Sequence, residues 1–395
     1  MKKIIQYTII ILFSFTFSLF LFEIFLNLKN SKLNYNEIKK IYKQTTGKDY
    51  DDRTKIEVYK ELAKKDKDLV VNVYPSLHIE AKKNKDLFLP LSGISNSKTL
   101  DCNENGYFTI FKSDRYGFNN PDMEWNSNKI EYLLVGDSFT HGACVNRPND
   151  IGSVLRNLSN KTVINIGYGG NGPLLEYATL KEYMPQNVKN IIWIYVENND
   201  LINLEVEINN NILIKYLDDD TFTQDLINKQ VKIDKFNRNV MMSHFLDDEI
   251  RILKKDSKLK YKILKFIRLD KTKNKLKSIF SKKKNNELNY NKFKLVLNKA
   301  NDLAKINNSK FYFVYLPSIE RFKHQKYHDD LEKIEQIVNG LGIKFININK
   351  EVFEKEDDKL NFFPFKTRQH YTVKGYYKVA ETIYRITRWL ILQKI

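Results

Sequence analysis

The chain has 395 residues, 42% of them hydrophobic, with two Cys and six His. That is long enough for one large domain with an insertion or for two modest domains, too poor in Cys for a disulfide-scaffold protein, and without the CxxC or HExxH spacing of a metal site, so no metal is expected. The formal charge of +18 would suit a nucleic acid or another polyanion, but the excess is mostly Lys in an Asn- and Ile-rich chain with no zinc-finger, helix-turn-helix or RNP-like pattern; no nucleic acid is expected.

In chain order, the first element is the uncharged run IIQYTIIILFSFTFSLFLF at 4–22, preceded by Lys2 and Lys3 and extended by IFL at 24–26. At about 1.5 Å per residue it can cross a bilayer core of about 30 Å. No A-x-A-like cleavage site follows, so residues 1–27 are expected to be an uncleaved, single-pass anchor. Lys29, Lys32, Lys39, Lys40 and Lys43 outnumber Lys2 and Lys3, which alone would keep the body of the protein in the cytoplasm. Long domains translocate largely regardless of charge, and the expectation is a periplasmic or extracytoplasmic body.

Residues 28–128 divide into a polar stretch to residue 70, with scattered Ile38, Ile41 and Tyr42, and a lead-in of short apolar runs broken by Ser, Asn, Pro and Gly. The first reads as a helical stalk, the second as irregular or small β structure. From residue 129 to the end, β-branched runs alternate with helical patterns. Strands are predicted at 130–135, 162–166, 190–196, 310–316 and 343–348, and helices at 149–159, 173–184, 290–307, 326–340 and from 373. This alternation predicts an α/β/α sandwich around a parallel sheet of about five strands. A Lys-rich insertion at 201–289 interrupts it. The insertion is expected to be a solvated helical lid or spacer; its amphipathic stretch at 252–284 could alternatively lie on an anionic membrane surface.

Candidate chemistry gathers at the strand ends, where ligands bind in open α/β sheets. YLLVGDSFTHG puts Gly136, Asp137 and Ser138 between a buried strand and a helix start. NIGYGGNGP (165–173) follows the second strand and YVENNDL (195–201) the third. His370 precedes the last amphipathic helix. GDSF with THGACV resembles the nucleophile block of the GDSL/SGNH hydrolases, and the glycine turn, the Asn-Asp pair and the late His resemble that family's later blocks in the same order, over roughly residues 130–385. The resemblance implies a flavodoxin-like SGNH fold, Ser138 as nucleophile and His370 as its base. It also implies an oxyanion hole from the Ser138 N–H, the Gly170 N–H (with Gly169 as alternative) and the Asn199 side chain, supported by Asp200.

This chain departs from that family twice. Thr367 stands where an Asp usually precedes the His by three residues, so a backbone carbonyl, or a carboxylate such as Asp357 or Asp358, would have to orient the imidazole. Glu197 stands where the family often has Gly. His141 is a second-choice base, and His78, His244, His324 and His328 are expected on surfaces or in loops. SDRYGFNNPD (113–122) looks like the lead-in of membrane-anchored bacterial members, and Cys102 and Cys144 could pair in an oxidising compartment or remain as two buried thiols. No nucleotide, haem or flavin signature is present, and no cofactor is expected. The implied activity is that of a serine esterase or O-acyltransferase acting on acyl esters, acetyl foremost, of envelope or exported polysaccharide. A catalytically weak glycan-binding or envelope-assembly protein and a phospholipase or thioesterase are the alternatives.

Overall fold

The computed structural model describes residues 2–29, 35–80, 88–197, 199–254, 263, 265–281, 286–323 and 330–392. Five strands, β4 (Ile130–Gly136), β5 (Val163–Asn165), β6 (Val188–Val196), β7 (Lys310–Leu316) and β8 (Lys344–Asn347), form one sheet in the order β5-β4-β6-β7-β8. Every pairing is parallel. A parallel sheet is covered on both faces, so its strands are nearly continuous apolar runs whose alternate residues enter opposite cores. Leu133, Val135, Trp193, Tyr195, Phe313 and Tyr315 pack on one side. Leu134, Ile192, Ile194, Val196, Val314 and Leu316 pack on the other. The predicted three-layer α/β/α sandwich is the observed one.

Strand order turns at β4. From β4 the chain moves outward to β5, then crosses back to β6 on β4's other side, so the connections diverge beyond the carboxyl end of β4. Ser138 follows that end directly. Helix α6 (Ile151–Ser159) and the C-terminal helix Val373–Leu392 cover one face. Helix α7 (Pro173–Tyr183) and the helix Asn286–Ile306 cover the other.

The segment before β4 is built onto this domain. Helix α2 (Tyr35–Thr46) buries Ile38 and Tyr42 beside Tyr50 and Phe365. A small sheet of β1 (Leu69–Val71), β2 (Lys98–Leu100) and β3 (Ile110–Lys112) carries its own apolar cluster. Phe88, Leu89, Leu91 and Phe118 join the core under the large sheet.

Within SDRYGFNNPD, Asp114 is buried and accepts the Tyr116 and Phe118 N–H groups, the Asn120 amide and the Trp125 indole N–H. Burial outweighs these donors and pushes its carboxyl up to about 6. His78 is a difference from the expected surface placement: it is buried, with Nε2 2.9 Å from the Asn237 amide oxygen. His324 and His328 lie outside the described residues.

Helix α1 (Lys2–Lys29) contains a span, Lys3–Leu26, long and apolar enough to cross a membrane, and almost none of it is buried by the rest of the chain.

Candidate active site

The turn that carries Ser138 is set by close backbone approach. A Cβ on Gly136 would stand 2.1 Å from Thr140 Oγ1 and 2.5 Å from the Ile194 carbonyl, so only glycine lets β4 turn there. Asp137 then caps the short helix α5 (Ser138–His141), its Oδ1 accepting the Phe139 N–H at 2.9 Å. Two consecutive residues of the lead-in fix this turn to its neighbour. The Asn119 amide donates to the His141 carbonyl, and Asn120 bonds both the N–H and the carbonyl of Asn165, the residue that opens the glycine turn.

Ser138 Oγ lies 2.9 Å from His370 Nε2. On the far side of the ring, His370 Nδ1 lies 3.1 Å from Glu104 Oε1, and the His370 backbone N–H donates to Glu104 Oε2 at 2.9 Å. The carboxylate that faces the imidazole therefore comes from the lead-in, not from the segment before the His. Asp358 instead caps a 3₁₀ turn and pairs with Lys366, and Asp357 is exposed. His141 is buried between the rings of Phe111 and Tyr168, and its carbonyl accepts the Asn119 amide.

Charges along this line reinforce one another. Burial works against the Glu104 carboxylate, but the hydrogen bonds and charge of His370 outweigh it and hold the group below its ordinary value. Burial also works against the His370 imidazolium, and here Glu104 outweighs it, so His370 is raised above its ordinary value. The Asp137 carboxyl is pushed by burial up to about 6, against the pull of the Phe139 N–H, the His370 charge and the Asn199 amide.

Cys102 and Cys144 form a disulfide. One end lies two residues from Glu104 and the other six residues from Ser138, so the bridge ties the loop of Glu104 to the turn of Ser138. Glu104, Cys144 and His370 offer donor atoms within 4.8 Å of one another. With the Cys144 sulfur bonded to Cys102, however, only a carboxylate and an imidazole remain, too few for a structural or catalytic zinc site.

The oxyanion candidates lie on the adjoining loops. Gly170 has φ +73°, a conformation glycine adopts without strain. A Cβ there would press on Ser76 Oγ at 2.4 Å, and one on Gly169 would press on the Tyr74 ring. Asn199 stands just before helix α8 (Asp200–Glu207), and its Nδ2 donates to Asp137 Oδ2 at 2.5 Å. An amide carries two N–H groups, so the second can serve an oxyanion. Asp200 is buried and accepts the Val196 N–H at 3.0 Å, closing the turn that presents Asn199. At the other end of α8, Glu207 accepts the N–H groups of Gly172, Leu174 and Leu175 and so caps α7 directly after the glycine turn.

Glu197 has a structural role. Its buried carboxylate takes the Tyr315 hydroxyl, the Ser318 N–H and the Arg321 guanidinium, binding the end of β6 to the chain after β7. The residue missing from the sequence reading is Glu104. The signal for it was the cysteine pair: joining Cys102 to Cys144 carries a carboxylate two residues along the chain into the neighbourhood of Ser138.

No protein-family model matches the sequence, and no curated protein matches it. Among solved structures, the fold is similar to a protein from Desulfitobacterium hafniense DCB-2 described as belonging to the lipolytic G-D-S-L family. The match has a TM-score of 0.35 and 13% identity, and covers 65% of this chain and 99% of that one. At that level the functional argument rests on the geometry of the site.

Proposed function

We propose that the protein is a membrane-anchored serine esterase or O-acyltransferase. The observation that carries this reading is the unbroken line from Ser138 Oγ through the His370 ring to Glu104. In the proposed cycle His370 Nε2 takes the Oγ proton as Oγ attacks an ester carbonyl. The tetrahedral oxyanion is met by the Ser138 and Gly170 N–H groups and the second Asn199 N–H. His370 then returns the proton to the departing alcohol, leaving an acyl-serine. A second acceptor oxygen attacks the acyl carbon with His370 again as base. Water makes the enzyme an esterase, and a sugar hydroxyl makes it an acyltransferase.

Glu104 fixes the tautomer with the proton on Nδ1 and stabilises the imidazolium in both half-reactions. The apolar α1 supports a single-pass anchor, and a disulfide beside the site supports an oxidising, extracytoplasmic compartment. The acyl, foremost acetyl, ester of an envelope or exported glycan is the substrate class implied by the family resemblance and belongs to this proposal.

The test is hydrolysis of p-nitrophenyl acetate by the full chain in detergent micelles, beside Ser138→Ala and His370→Ala, followed by acetyl transfer to a glycan acceptor. Turnover lost in both variants in either assay supports the reading. Activity undiminished in Ser138→Ala, or absent from the parent in both assays, overturns it in favour of glycan binding.

A further inference from the structure

The sequence concentrates charge in one place. Residues 251–284 hold fifteen Lys and Arg against Asp256 and Asp270, so most of the chain's +18 comes from this stretch. Part of it touches the apolar helix directly. The Phe266 ring packs on Phe20, with centroids 5.5 Å apart. Glu23 is buried and accepts the Lys271 N–H at 3.2 Å, the Thr272 N–H at 2.8 Å and the Thr272 hydroxyl at 2.7 Å. The helix Asp270–Ser281 thus begins on a carboxylate that lies within the apolar span, where an unpaired ion would be disfavoured.

Those contacts set depth. Glu23 and Phe20 stand three and six residues before Leu26, the end of the span, about 5 and 9 Å along a helix. That is the thickness of the headgroup and upper acyl zone in which interfacial helices lie. Ile263, Ile267 and Leu276 are exposed around the same contact, alongside exposed Arg268 and Lys273. Apolar side chains with basic neighbours at the end of an anchor match an anionic lipid surface, with chain entering the acyl boundary and cations at the phosphates.

We propose that residues 263 and 265–276 form an interfacial element that inserts at the end of the anchor and binds anionic phospholipid. This rests on α1 being a membrane anchor, so the experiment reads both. Single Phe13→Cys and Ile267→Cys variants of the full chain carry an environment-sensitive fluorophore in vesicles of phosphatidylcholine alone or with phosphatidylglycerol, quenched by brominated lipids of graded depth. The native cysteines are bonded to each other.

The expected result is deep quenching at 13 in both vesicles and shallow quenching at 267 that requires phosphatidylglycerol. Arg268→Glu and Lys273→Glu should each shift the docked-to-undocked ratio about fivefold or more. Quenching at 13 but none at 267 overturns the interfacial element and leaves the anchor standing. Equal quenching at 267 in both vesicles overturns the anionic-lipid preference. No quenching at 13 overturns the anchor and the proposal with it.

Discussion

Glu104 holds His370 twice, through Nδ1 at 3.1 Å and through the backbone N–H at 2.9 Å. One carboxylate thereby sets both the ring's tautomer and the position of the loop that carries it. Glu104→Gln should lower kcat for an aryl ester by roughly 10³-fold, because the amide can present its N–H to the wrong tautomer. The general base must be neutral, so activity rises with pH through the His370 pKa. That acid limb lies above the ordinary histidine value in the parent and should move to lower pH in Glu104→Gln, where the group that raised it is gone. A pH profile of kcat/KM in which the limb does not move would assign Glu104 a purely structural role.

Reducing the Cys102–Cys144 bridge should loosen the acid. The two residues are 42 apart in sequence, a loop whose closure contributes about 4 kcal/mol on the chain-entropy account. Dithiothreitol, or a Cys102→Ala/Cys144→Ala pair, should lower the denaturation midpoint and reduce kcat towards that of Glu104→Gln. Full kcat retained in a destabilised, reduced enzyme would separate the bridge from the site.

Asn199→Ala removes a proposed oxyanion donor and one of the groups satisfying Asp137. A loss of 10²–10³-fold in kcat with KM nearly unchanged is expected. A rise in KM alone, measured by steady-state kinetics, would place Asn199 in ground-state binding instead.

Three buried acids behind the oxyanion loops predict the pH dependence of stability. Burial raises the Glu207 carboxyl to about 7, and burial with the neighbouring acids raises Glu176 and Asp200 well above their ordinary values. These groups bind protons more tightly in the folded chain, so their contribution to stability is largest at low pH and falls as pH rises from about 4.5 to 7 and beyond. His370 acts with the same sign, its contribution fading as pH rises through its elevated folded value. Both carboxylate oxygens of Glu176 are without a hydrogen-bond partner among the described residues. Glu176→Gln should therefore stabilise the chain at pH 8 relative to the parent and flatten the decline, as urea midpoints at pH 5.5 and 8 would show. An equal midpoint shift at both pH values would remove Glu176 from the account.

Periodicity made the five strands and their flanking helices legible, because a sheet covered on both faces leaves continuous apolar runs between turn residues. Ser138 and His370 were singled out instead by the resemblance of GDSF and the late His to a known family's blocks, and their side chains lie 2.9 Å apart. Glu104 was not singled out. It lies in a loop without periodicity, over 260 residues from its partner, and its pairing is a long-range contact set by the disulfide and by Asn103, whose side chain accepts the Gly106 N–H and donates to the Asp51 carbonyl. His78 was misread because a short polar helix, Ser76–Glu80, gives no sign of the insertion helix that covers it through Asn237. The pairing of the insertion with α1 was illegible too, since a run of Lys looks equally solvated wherever it folds.

Tyr42 lies over Gly106, where even a methyl group would come within 2.4 Å of its ring, and it also meets Phe365 edge-on. Helix α2 therefore clamps the loop of Glu104 and the segment leading to His370 together. Six peptide steps join Lys29 to Tyr35, at most about 20 Å, and seven helical residues add about 10 Å, so Tyr42 is tied to the end of α1 by a leash of about 30 Å. With α1 as the proposed anchor, so short a leash would hold the site to the layer next to the bilayer, and under the proposed function a polymer would be modified only while it passes through that layer.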